Sequence, residues 1–289
     1  MTPSHRRLAA LAGSAALLTV SLTPVWSGAA QAADGTATAA VTDDGDALGL
    51  FQYTGGPGKN DADISMAIAT DWESVVFLVD DVVEIEAGYN CVHPTTDDLT
   101  QVACVIDYEE AAGSPQGRIE LGEGDDTLRF TNLTTRYSPV VDLGAGDDTY
   151  VTTRTDTFDA YLMAGDGDDT LTVGKESQAW GGSGDDEITV IGRALAVYGD
   201  DGNDLINGGP DDDQLWGNAG DDIIYGNDGD DNITGGTGND QLYGGRHNDN
   251  IQGNSGNDVI YGNSGDDYIS GGPGDDTISG GTGTNTIKD

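Results

Sequence analysis

Aspartate recurs in this chain in two interleaved series that could supply oxygen ligands to a hard cation. One series is Asp186, Asp204, Asp222, Asp240, Asp258 and Asp276; the other is Asp213, Asp231, Asp249 and Asp267, ending at Asn285. Within each series the step is 18 residues, and Asp126, Asp148 and Asp169 carry the first toward the N-terminus at less regular steps. If such residues stack on successive rungs about 4.8 Å apart, bare carboxylates repel one another. Calcium, which accepts many oxygen ligands in a tolerant geometry, is the ion suited to lie between them.

The element that must position these residues is a nine-residue unit. Residues 199–288 are ten units in tandem, without insertion or deletion. Examples are Gly-Asn-Ala-Gly-Asp-Asp-Ile-Ile-Tyr (217–225), Gly-Gly-Thr-Gly-Asn-Asp-Gln-Leu-Tyr (235–243) and Gly-Gly-Pro-Gly-Asp-Asp-Thr-Ile-Ser (271–279). Position six is aspartate in nine of the ten, and position eight is always aliphatic, from Ile206 and Leu215 to Ile278 and Ile287. One inward aliphatic per unit builds a core by stacking, and a short fixed period marks a solenoid. The glycines supply positive-φ turn positions that other residues resist.

These units resemble the RTX (repeats-in-toxin, haemolysin-type) calcium-binding repeat, Gly-Gly-x-Gly-x-Asp-x-apolar-x. The resemblance implies an all-β fold, a right-handed parallel β-roll or β-solenoid, in which six residues form a turn, three a short strand and two units one coil. It implies Ca2+ held between neighbouring turns by backbone carbonyls and by Asp126, Asp148, Asp169, Asp186, Asp204, Asp213, Asp222, Asp231, Asp240, Asp249, Asp258, Asp267 and Asp276. One ion per adjacent pair of turns comes to roughly ten ions. Folding and binding are then one event, because an unfolded chain has no preformed site.

Before the tandem block the unit persists in diluted form. Segments 121–129, 143–151, 164–172 and 181–189 each contain Gly-x-Gly-Asp-Asp, with starts 22, 21, 17 and then 18 residues apart up to Gly199. The intervals converge on two units, so residues 121–198 are expected to form degenerate coils. One edge keeps the aspartate motif from about residue 122, and the opposite edge acquires it only after about residue 208. Asp211 and His247 replace the position-four glycine. Both tolerate left-handed backbone better than most residues, so weakened local sites are expected there, not broken coils.

Composition limits the alternatives. The 289 residues carry 52 acids against 11 bases, a formal charge of −41. Such a surplus opposes compaction without cations and excludes nucleic acid as a partner, which needs a basic patch. Residues 1–32 read as a signal peptide: His5-Arg6-Arg7, an apolar run over 8–20 too short for a membrane span, and Ala30-Gln31-Ala32 as cleavage site. A secreted, extracellular protein follows, by ordinary secretion in preference to the twin-arginine route. Residues 33–46 read as a flexible acidic leader. Residues 47–120 read as an N-terminal β module that caps the solenoid, with strand signals at 48–53, 64–68, 75–79, 82–85, 102–106 and 118–121. Its two cysteines, Cys91 and Cys104, suit one disulfide in an exported chain.

Enzyme signatures are missing from the sequence. The three histidines form no His-Glu-x-x-His pair, and no Gly-x-Ser-x-Gly elbow occurs. An EF-hand fails because Ile233 stands at the turn glycine of the segment starting at Asp228. An ice-binding array would need threonine at position three, which holds only Thr237 and Thr282. Trp180, Tyr198 and Trp216, and separately Tyr225, Tyr243 and Tyr261, recur at 18-residue steps. They are expected to form stacked ladders covering the sheets. The alternative is an adhesin platform for a polysaccharide or a partner protein.

Overall fold

A computed structural model describes residues 36–42, 50–68, 74–81, 83–88, 91–95, 97–107, 116–134, 138–153 and 159–288. The signal peptide expected over 1–32 lies outside them. The described residues contain strands and no helix, arranged as two 13-stranded sheets facing each other. From residue 116 onward the chain alternates between the sheets, and every neighbouring pair is parallel. This is a parallel β-solenoid consistent with a β-roll. Register follows the repeat: Ile224 lies opposite Leu242 and Ile233 opposite Ile251, so position eight meets position eight on each sheet. Strands of three to six residues bury so little on their own that only stacking stabilises them.

Inward positions alternate along each strand. Position eight is buried from Ile206 through Ile269, and position one, glycine throughout the tandem block, is the second inward site. Bulk therefore drains from the interior along the rod. On one edge position one is Leu121, Leu143 and Ala164 in the three turns from residue 121 and glycine from Gly181 onward. The largest fully buried side chains, among them Tyr53, Phe51, Phe77, Phe130 and Tyr150, all lie at the N-terminal end. Phe51 and Phe77 stack there with ring centroids 4.1 Å apart.

The N-terminal strands are β1 (Ala37–Thr42), β2 (Leu50–Thr54), β3 (Asp61–Ile68), β4 (Ser74–Asp80), β5 (Ile85–Ala87), β6 (Cys91–Val92), β7 (Gln101–Asp107), β8 (Gln116–Glu123) and β9 (Thr127–Asn132). Two differences from the sequence reading stand out. The acidic leader contains β1, which pairs antiparallel with β2 and parallel with β5 and buries Ala37 and Ala39. Small alternating residues hid it, because Ala37-Thr38-Ala39-Ala40 has weak strand propensity and forms a strand only beside a neighbour. The strand signal at 82–85 falls instead on β5.

Nor does the solenoid start at residue 121. β2 is parallel to β8, and β3 is parallel to β9, so β2 and β3 already belong to the two sheets of the roll. The antiparallel run β3–β4–β7–β6 extends one sheet, and β1 with β5 extends the other. Cys91 and Cys104 pair across β6 and β7 as the expected disulfide.

Stacking makes each buried aliphatic count. Ile224→Ala in the calcium-loaded protein should cost roughly 2–5 kcal/mol, whereas Ile287→Ala, at a site 48% exposed, should cost under about 0.5 kcal/mol. Urea unfolding of both variants checks this, and equal losses would contradict the layered core.

Candidate metal centre

Each turn connects the two sheets and holds its position-six aspartate in the interior. The backbone reverses through positive φ at position two, supplied by glycine or by Asp200, Asn218, Asn227, Asn254 and Asn263 with φ between 68° and 80°. Position four repeats the requirement, with φ of 141° at Gly220 and 78° at His247. His247 therefore keeps the coil, as its tolerance for left-handed backbone implied. Asp211 does not: neither it nor Gly209 takes a positive φ, and that turn differs from its neighbours.

The expected columns of aspartates are present. On one edge the backbone N–H of Asp126 donates to Asp148 Oδ1 at 2.7 Å, Asp148 to Asp169 at 2.7 Å, and Asp169 to Asp186 at 2.8 Å. The same bond continues through Asp204, Asp222, Asp240, Asp258 and Asp276. On the other edge the N–H of Ala194 donates to Asp213, and the bond repeats through Asp231, Asp249, Asp267 and Asn285. The structure thus brings all thirteen aspartates into two lines, the first long and the second starting near residue 208.

Only one oxygen of each carboxylate is used this way. Oδ2 of Asp126, Asp148, Asp169, Asp186, Asp204, Asp222, Asp231, Asp240, Asp249, Asp258, Asp267 and Asp276 is buried and has no hydrogen-bond partner. Asp213 is the exception, because its Oδ2 accepts the N–H of Gly209 at 2.7 Å within the altered Asp211 turn. An unpaired buried anionic oxygen is costly unless a cation or proton meets it.

Glycine at position one leaves the space in which that could happen. A Cβ on Gly199 would sit almost on Asp204 Oδ2 and 2.9 Å from Gly217 O. A Cβ on Gly217 would meet Asp222 Oδ2 and lie 2.8 Å from Gly235 O. Carboxylate and carbonyl oxygens thus converge on one point per turn. Among the described residues no three His, Cys, Asp or Glu side chains converge, so an ion here would draw on main-chain oxygens beside the carboxylate. Such a mixed oxygen set suits calcium and disfavours zinc.

A second ladder, missed in the sequence reading, runs through position five. Its bonds point the opposite way: Asp147 N–H donates to Asp125, Asn203 to Asp185, Asp221 to Asn203 and Asn239 to Asp221. The signal was available, since position five is Asp or Asn in nine of the ten units, with Thr284 in the last. The contrast between the ladders is informative. At position five, Asn and Asp alternate freely, because one oxygen acceptor is enough. Asn285 likewise accepts the N–H of Asp267 at 2.9 Å. The ladder bond alone therefore does not require aspartate at position six; what aspartate adds is the second, charged oxygen.

Burial raises the pKa values of these carboxyls. Asp249 is pushed up to about 8 and Asp148, Asp186, Asp222 and Asp231 to about 7, chiefly by desolvation, against the lowering effect of the ladder N–H and with help from neighbouring carboxylates. Asp126, Asp169, Asp204, Asp213 and Asp240 reach about 6 for the same leading reason.

Fold and site together define a parallel β-solenoid with cation-seeking turns. The family model of the RTX calcium-binding nonapeptide repeat matches residues 198–231, 225–260 and 252–287. The match spans residues 198–287, and the coils before residue 198 lie outside it while continuing its geometry. A search of curated proteins found no match.

The shifted carboxyls set a pH dependence. In the unfolded chain they titrate near the usual aspartate value of about 3.9; in the calcium-free fold they hold their protons up to about 6 to 8. The fold binds more protons in between, so calcium-free stability is greatest in acid and is lost as pH rises through that range. Calcium-free protein should gain β-sheet ellipticity as pH falls from about 8 to about 5, while apparent calcium affinity weakens as protons compete. A calcium-free spectrum that does not change with pH would contradict it.

Proposed function

We propose that this is a secreted, non-enzymatic calcium-binding protein whose turns hold multiple Ca2+ ions and which folds on binding them. The observation that carries the reading is the column of buried, unpartnered Oδ2 atoms, which in turns such as those of Asp186, Asp204, Asp222 and Asp258 converge with a carbonyl of the next coil. Twelve of the thirteen aspartates named above, all but Asp213, are its ligands, and where position one is glycine the carbonyls of those glycines complete the oxygen set. Calcium, when bound, supplies the positive charge that these lines lack. The chain's own residues hold the oxygens in register, keep water out with the aliphatic layer, and pass each N–H to the next Oδ1.

RTX repeat proteins are typically extracellular, and the N-terminal signal reading of residues 1–32 agrees with that setting. External calcium in the millimolar range would load sites with dissociation constants on the order of 10⁻⁴–10⁻³ M. Before export the acidic chain would stay unfolded, since its charge opposes collapse.

The adhesin alternative rests on the aromatic columns, and their geometry favours a covering role. Tyr225, Tyr243 and Tyr261 stack with centroids 4.7 and 5.3 Å apart and planes within 12°. Trp180, Tyr198 and Trp216 stack at 5.6 and 4.7 Å. Ring faces on which a sugar would stack are taken up by the neighbouring rings, and rings edge-on to solvent shield the sheets.

Circular dichroism in calcium and after EDTA tests the reading directly. Most of the sheet spectrum should be lost in EDTA and return with calcium; repeats of 196–288 that stay folded without calcium at neutral pH would refute the coupling. Asp240→Asn should lower the bound calcium by about one ion and raise the calcium midpoint. Asp221→Asn, on the position-five ladder, should leave both unchanged, and equilibrium dialysis reads the difference.

A further inference from the structure

The first turn of the long column differs from all those that follow. Residues 55–63 read Gly-Gly-Pro-Gly-Lys-Asn-Asp-Ala-Asp, a nonapeptide with Asn60 at position six and Ala62 at position eight. The turn joins β2 to β3 and is built into the coil stack. Thr127 N–H donates to Asn60 O at 2.9 Å, as Thr149 N–H does to Asp126 O at 2.8 Å. Asn60 N–H donates to Asp126 Oδ1, which makes Asn60 the head of the ladder.

Where later turns present a bare Oδ2, this one presents an amide. Asn60 is fully buried. Its Oδ1 accepts Gly56 N–H at 2.9 Å, which fixes the orientation of the side chain. Its Nδ2 then faces Gly58 O at 2.9 Å, Asp126 Oδ1 at 3.1 Å, Leu121 O at 3.2 Å and Gly56 O at 3.3 Å. A Cβ on Gly55 would lie 2.6 Å from Leu121 O and 2.8 Å from Asn60 Nδ2, at the point where later turns bring together Oδ2 and the next coil's carbonyl. The amide hydrogens thus stand at the place where later turns leave an Oδ2 without a donor.

The short column begins similarly. Its head, Asp213, has Oδ1 on the N–H of Ala194 and Oδ2 on the N–H of Gly209, so no oxygen is left bare. Both Gly56 and Gly209 stand at position two, and in each turn this residue donates to the position-six side chain.

We propose that the Asn60 turn is a metal-free first turn, in which the side-chain amide takes the place of a cation. The coil of β2 and β3 then folds without calcium and is the template on which the ion-dependent coils assemble. It rests on the calcium reading above and adds a direction to the folding, from the Asn60 turn toward residue 288. The bulky buried side chains at this end give that coil an apolar core of its own, and calcium excludes an amide nitrogen from its ligand set because it prefers oxygen.

Hydrogen exchange of the full-length protein, followed by mass spectrometry in EDTA and in calcium, tests it. In EDTA, amides of 50–68 should stay protected while those of 196–288 exchange freely; calcium should protect the latter and leave the former unchanged. If 50–68 exchanges as fast as 196–288 in EDTA, the template is refuted. If 196–288 stays protected in EDTA, the calcium reading fails instead. Asn60→Asp supplies the second arm, since it restores an anionic oxygen and removes the amide. It should bind one further calcium by native mass spectrometry. In EDTA it should speed exchange of 50–68 by about tenfold or more, and calcium should restore the protection. An Asn60→Asp protein with unchanged ion count and unchanged exchange in EDTA overturns the proposal. Loss of protection in EDTA and in calcium alike would also overturn it, because it would show a purely structural asparagine.

Discussion

Everything in this molecule depends on a carboxylate that is half satisfied. Oδ1 of each position-six aspartate ties its coil to the preceding one through a backbone N–H, and Oδ2, in all of them but Asp213, is buried without a partner. The first oxygen fixes the rise from coil to coil, so the two sheets, the aliphatic stack and the outer ladder at position five all follow its register. The second makes the same arrangement unfavourable in the absence of a counter-charge. Scaffold and site are one set of atoms, and the thin core of one aliphatic per unit cannot outweigh the electrostatic cost by burial alone.

The repeat block was almost wholly legible, because its chemistry is local. A glycine, an aspartate and an aliphatic at fixed offsets specify turn, rung and core, and the 18-residue spacing placed Asp204 under Asp222 before any coordinates did. The diluted coils were legible on one edge for the same reason. The N-terminal end was not. The Asn60 turn is joined to Asp126 across 66 residues of chain, and a search for paired aspartates passes over Gly-Gly-Pro-Gly-Lys-Asn. Strand β1 depends on β2 and β5 for its existence. Asp213 looked like any other position-six residue, and its paired Oδ2 comes from backbone conformation at Gly209 and Asp211 that composition alone does not encode.

Interior volume and charge vary in opposite senses along the rod. Near residue 50 to 150 the interior is filled by Tyr53, Phe51, Phe77, Phe130 and Tyr150. Past Gly181 glycine takes over at position one, and the space it leaves is lined by oxygen. Hydrophobic burial and charge neutralisation are alternative ways of holding two sheets together, and the chain passes from one to the other within a few coils. The disulfide between Cys91 and Cys104 stands at the apolar end, where no column of carboxylates runs.

The constant 18-residue offset of both ladders has a consequence for how such a chain can change over generations. A duplicated pair of units meets a free N–H on one side and a carboxylate on the other at each edge, so it slots in as one more rung with every outward residue kept on its own sheet. Duplicating a single nine-residue unit does something else: every later unit changes sheets, and the tyrosine column of residues 225–261 would stand above the tryptophans of the opposite sheet. Length is therefore free to drift in whole coils and forbidden to drift in halves. The uninterrupted run of ten units from Gly199 to Lys288, five whole coils, is what a chain that grows by copying its own coil would leave behind.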